Sequence, residues 1–90
     1  MKNKIQILDK PNSHVETQVY NKEEKRISKI MALDGKYLVE FFKMGSGGQY
    51  VREMPTYNSE TYACAFMAAK KYALTGETTQ SQSFLVEVQS

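Results

Sequence analysis

One histidine, one cysteine and a glycine-rich tetrad are the places where this 90-residue chain could carry chemistry. His14 has a side chain that exchanges a proton near neutral pH, but general acid–base work needs a second positioned group. It stands alone at the start of the run HVETQVY and reads as a surface histidine. Cys64 lies inside ACAFMAAKK, with Lys71 two turns on and no histidine beside it. A nucleophilic thiolate needs an activating cation or imidazole, so Cys64 is not expected to react. Gly45-Ser46-Gly47-Gly48 lacks the lysine and the following helix of a phosphate-binding loop, and reads as a hairpin loop. Next to Lys43 and Tyr50, that loop can adapt to a partner. No carboxylate pair stands out as an acid–base couple, since Asp34 is explained by a turn and Glu40 by its cross-strand neighbours. A single cysteine excludes an internal disulfide, and no Cys/His cluster suggests zinc. The chain reads as non-enzymatic, with no catalytic residue, no metal ligand and no cofactor.

Composition bounds the answer further. With 41% hydrophobic and 24% charged residues, the chain matches soluble globular proteins and not disordered ones. A net charge of +2 permits contact with nucleic acid without arguing for it, because dedicated binders carry a larger, clustered excess. The stretch MKNKIQILDKPN has no apolar core of signal-peptide length, and no transmembrane run follows. A reducing cytoplasm is the expected compartment. Ninety residues suffice for one domain with a modest core.

The chain's one convincing helix spans Asn58 to Leu74, NSETYACAFMAAKKYAL. Asn58 or Ser59 can cap its start, Glu60 sits in the first turn, Lys70 and Lys71 lie towards the end, and Gly76 suits a left-handed cap. At about 100° per residue, Tyr62, Phe66, Ala69 and Ala73 form a stripe flanked by Ala65 and Tyr72, which should face a sheet. Cys64 and Met67 fall opposite and are expected to be partly covered, by a strand or loop or by a partner.

The sheet is legible from turns and alternation. Lys4 to Leu8 is a short strand ended by the turn formers Asp9 to Ser13, and His14 to Tyr20 alternates as a strand. After a charged turn, Arg26–Leu33 and Lys36–Lys43 flank Asp34-Gly35, the pair that supplies the positive φ angles of a type I′ hairpin. The loop Gly45–Gly48 leads to a third strand, Gln49–Met54, stopped by Pro55. With Leu33 opposite Lys36, the register puts Ser28, Ile30, Ala32, Tyr37, Val39 and Phe41 on one face. If Lys43 pairs with Gln49, Val51 joins them. The other face carries Ile27, Lys29, Met31, Leu33, Leu38, Glu40, Phe42, Tyr50, Arg52 and Met54, with Lys29, Glu40 and Arg52 as a cross-strand charge ladder. A solvated face should alternate to polar residues and this one does not, so something covers it: terminal strands, a second copy or a partner. After the polar connector 76–83, residues 84–89 alternate as a last strand, either at the sheet edge or over the crowded face. The fold class is α+β: one domain over 1–90 with its core in 14–75, an antiparallel sheet of about four to five strands and one main helix packed on one face.

Two functions follow from that surface. In the first, Lys29, Met31, Leu38, Phe42, Tyr50 and Arg52 bind a protein or nucleoprotein partner, as an apolar patch with a charged rim. Small phage-encoded accessory proteins and inhibitors are of this size and type, an analogy and no more. In the second, the sheet binds DNA. Three strands and a helix, with GKYLVEF as central strand, NSE before the helix and ACAFMAAKKYA within it, resemble the Apetala-type plant DNA-binding domain and the arm-binding domain of phage integrases. The resemblance covers about half the chain. It implies DNA contacts from Arg26, Lys29, Lys36, Lys43 and Arg52, with Phe42 and Tyr50 packing on sugars or bases. That family's arginine-dense first strand and strand tryptophans have no counterpart here. A homodimer is a further arrangement that would cover the face.

Overall fold

The computed structural model describes residues 5–78. Within them, five strands are followed by one helix: β1 (Ile5–Asn12), β2 (Val15–Asn21), β3 (Arg26–Leu33), β4 (Lys36–Met44), β5 (Tyr50–Ser59) and α1 (Tyr62–Thr75). The strands lie in chain order, each antiparallel to the next. Sequence-adjacent pairing of this kind needs only short hairpin connections. The α+β class expected from the sequence is the class observed. The proposed last strand, 84–89, lies outside the described residues.

Local chemistry sets each turn. Asp34 and Gly35 both take positive φ, 52° and 77°, and Leu33 pairs with Lys36 as the type I′ hairpin requires. Asn12 turns β1 into β2, its side-chain oxygen accepting from the backbone N–H of His14 at 2.8 Å and of Val15 at 3.1 Å. Asn21 repeats the device before β3, accepting from Glu24 N–H at 3.0 Å.

Four expectations need correction. First, β1 does not stop at Leu8: it runs to Asn12 through an irregularity between Asp9 and Asn12, with Lys10 at φ 51°. Second, β5 continues through Pro55 to Ser59. Proline is tolerated there because β5 is an edge strand among the described residues and its register shifts against Val39, Phe41 and Phe42 mark bulges. Third, Lys43 pairs with Val51 and not Gln49, because Gly45 N–H donates to Gln49 O at 2.7 Å and closes a longer loop. Val51 is left 51% exposed, and beyond the bulge Met54 turns to pack against the core.

Fourth, the helix begins later. Thr61 is the N-cap, accepting from Cys64 N–H at 3.2 Å, so Glu60 precedes the helix and neither lysine falls in the last turn. Its buried residues are Ala65, Ala68, Ala69, Tyr72 and Ala73, while Tyr62 is 40% exposed. The stripe is thus centred nearer Tyr72 than the periodicity indicated. Small side chains let the helix backbone come close: Ser28 Oγ on β3 donates to Ala69 O at 3.0 Å. Val19, Ile30, Val39 and Phe41 complete the buried cluster, with the Phe41 and Tyr72 rings 5.0 Å apart.

Candidate partner-binding face

Strand alternation sends odd residues of β3 and even residues of β4 to the face that the core does not use. Register then assembles the site. Phe42 lies between Ile27 and Arg52, Lys29 lies opposite Glu40, Met31 opposite Leu38, and Met44 opposite Tyr50. None of Lys29, Met31, Leu38, Phe42, Tyr50 and Arg52 belongs to the core cluster. All six sequence-selected residues fall on this face; Arg52 is exposed and the other five are half-buried.

The charges are arranged differently from the expected ladder. Arg52 reaches diagonally to Glu40, with Nη2 2.9 Å from Oε2. Lys29, though directly opposite Glu40, places its ammonium 5.1 Å from the centre of the Phe42 ring. The ring face is negative and holds the cation there. A positive charge therefore sits over the largest apolar group of the site.

At one end, the Tyr20 and Tyr50 rings meet edge to face at 6.4 Å. Tyr20 comes from β2, a strand that the sequence reading found without placing beside β3, and it was therefore missed as a member of this face. Its signal was the alternation Glu16, Gln18, Tyr20 within HVETQVY. The Tyr50 hydroxyl is covered and has no hydrogen-bond partner among the described residues. Burial, with the nearby Tyr20 hydroxyl adding to it, raises its pKa to about 12. The face ends after Arg52, where the bulge turns Glu53 to receive the Tyr72 hydroxyl.

The five basic residues of the DNA reading do not share a surface. Lys29, Lys36 and Arg52 lie on the face just described, whereas Arg26 and Lys43 pair with each other on the opposite one. Arg26 is buried, donating to the carbonyl oxygens of Tyr72, Ala73 and Leu74 at 3.0, 3.3 and 3.1 Å. It is a helix-capping residue in this fold and is not available to phosphate.

Among the described residues, no group of three His, Cys, Asp or Glu side chains is placed to hold a metal ion, and no helix is long and apolar enough to cross a membrane. Cys64 is a free, exposed thiol. Comparison with protein-family models, with curated proteins and with solved structures finds no match in any of the three.

Proposed function

We propose that this chain is a small non-enzymatic binding protein of the cytoplasm that docks on a protein partner. It does so through the sheet face turned away from the packed helix, as an accessory protein or inhibitor would. Lys29, Met31, Leu38, Phe42, Tyr50 and Arg52 are the contact residues. The observation that carries the reading is the placement of these six together on one face, outside the core cluster. Aromatic and arginine anchors within a half-buried apolar patch are what protein interfaces concentrate at their centres. The capping role of Arg26 and the opposite orientation of Lys43 weigh against a DNA-binding sheet.

The test is affinity capture from lysate, with and without nuclease, using wild type, Phe42→Ala and Met67→Ala as baits. Met67 is 68% exposed on the helix and serves as the control. A stoichiometric protein that survives nuclease, is retained by Met67→Ala and is lost with Phe42→Ala supports the reading. Loss of all captured protein on nuclease treatment would transfer the function to nucleic acid.

A further inference from the structure

We infer that the partner presents an acidic, amphipathic segment whose carboxylates meet Lys29 and Lys36 and whose apolar side chain settles between them on Met31 and Leu38. The inference rests on the docking face proposed above and specifies what that face selects. Its basis is the charge left over once the face's own ion pairs are formed. Lys10 is held by Glu16 at 2.6 Å and Arg52 by Glu40 at 2.9 Å. Lys29 and Lys36 have no carboxylate within ion-pair distance among the described residues.

Register gives these two cations a defined arrangement. The Met31–Leu38 pair occupies one row of the β3–β4 ladder, Lys29 lies one same-face step to one side, and Lys36 lies one step to the other. Two same-face steps along a strand separate the lysine rows by about 13 Å. An extended segment with acidic residues at i and i+4 and an apolar residue at i+2 repeats that spacing on one of its own faces. Unpaired cations flanking an apolar contact favour such a ligand and repel a basic one.

A nucleic acid fits less well. It presents a phosphate at each nucleotide and gains affinity from many neutralised charges. Among the described residues this face offers two unpaired lysines with apolar groups between them, and it also carries Glu16 and Glu40.

The test is a titration of the isotopically labelled chain at low salt, followed by amide NMR shifts, with three probes. One peptide carries Glu-Ser-Leu-Ser-Glu between neutral solubilising ends, a second replaces both glutamates by glutamine, and the third probe is a single-stranded oligonucleotide. The acidic peptide is expected to shift the amides of Lys29, Met31, Lys36 and Leu38. It should bind the Lys29→Glu/Lys36→Glu variant at least about tenfold more weakly, the factor equal to about 1.4 kcal/mol. Equal binding of the glutamine peptide, or no binding of either, overturns the acidic selection and leaves the docking face standing. Shifts confined to another surface overturn the face itself. Stronger perturbation of the same amides by the oligonucleotide reassigns the lysines to phosphate.

Discussion

Arg26 holds Tyr72 at both ends of the residue: its Nε donates to the Tyr72 carbonyl oxygen at 3.0 Å, and its guanidinium carbon lies 6.0 Å from the Tyr72 ring centre. The last carbonyls of a helix have no partner within the helix and carry its negative dipole end. Arg26 meets the carbonyls of Tyr72, Ala73 and Leu74, and Asn21 Nδ2 adds a bond to Ala73 O at 2.7 Å. The strand pair β2–β3 thus caps the helix that it packs against. Charged hydrogen bonds contribute about 1.5–3 kcal/mol each and are not additive, so Arg26→Ala should lower stability by about 2–4 kcal/mol in urea denaturation. Arg26→Lys should recover only part of that, because an ammonium cannot reproduce the fork. Full recovery by lysine would mean that charge alone matters there.

Gly76 lies against the same guanidinium. Its φ of 82° is left-handed, and its N–H donates to Tyr72 O at 2.7 Å, closing the helix. A Cβ at that position would come within 3.3 Å of Arg26 Nη1. Gly76→Ala therefore combines a backbone cost of about 1–2 kcal/mol with displacement of the cap. Gly48 has the same φ, 82°, and open space around it. Gly48→Ala should cost less than Gly76→Ala by the same denaturation assay, and equal costs would remove the capping argument.

Tyr72 also sets a limit at alkaline pH. Its hydroxyl donates to Glu53, Phe42 O lies 3.2 Å from the same hydroxyl oxygen, and its side chain is buried. Burial first, and the Glu53 carboxylate second, raise the phenol's pKa above the ordinary tyrosine value. The folded chain then keeps the proton where the unfolded chain, titrating near about pH 10, releases it. This contribution is complete below about pH 10 and is lost as pH rises towards the folded value. Tyr50 acts with the same sign, its pKa raised to about 12. Tyr72→Phe should be less stable at neutral pH by about 1 kcal/mol, yet lose less stability than wild type on going to alkaline solution. Urea midpoints at neutral pH and above about pH 10 check both parts. Parallel declines in the two proteins would show that this phenol does not control the alkaline limb.

Much of the fold was legible because its signals are local. Asp34-Gly35 fixed the β3–β4 register, and from that register alone Lys29, Met31, Leu38 and Phe42 could be placed on one face. What failed depended on distant contacts. The β4–β5 pairing hinges on bulges that local pattern does not announce, so Met54 was placed on the wrong face; Val51 lies on the expected face but opposite Lys43, where it stays exposed. Arg26 looked like a surface cation because charge and position suggested one, while its three carbonyl acceptors lie almost fifty residues further along the chain. Tyr20 was missed from the face for the same reason, since β2's neighbour was not identified. Sequence periodicity reports which side a residue takes, and only tertiary packing decides what it meets there.

Pro55 provides a prediction about assembly. It sits inside β5, an edge strand among the described residues, within one of the two places where the register with β4 shifts. An unprotected edge offers a row of backbone donors and acceptors to any passing strand, and proline and bulges are the usual means of blunting it. The missing N–H of Pro55 removes one donor, and the bulges twist the strand so that it is a poor template. Pro55 is itself exposed, so its ring adds little to the core. Pro55→Thr should therefore change the stability of the folded chain by less than about 1 kcal/mol while increasing association between chains. Sedimentation at rising concentration reads the second effect directly: the variant should reach a larger average mass than wild type at equal concentration. The same mass for both proteins across that range would assign edge protection to the bulges alone. The opposite edge of the described sheet, β1, carries Ile7 at 49% and Leu8 at 45% exposure. If Ile7→Lys reverses the association of the Pro55→Thr variant, the new contact joins β5 of one copy to β1 of the next. That head-to-tail contact would propagate and not close, so the mass should keep rising with concentration and not stop at a dimer.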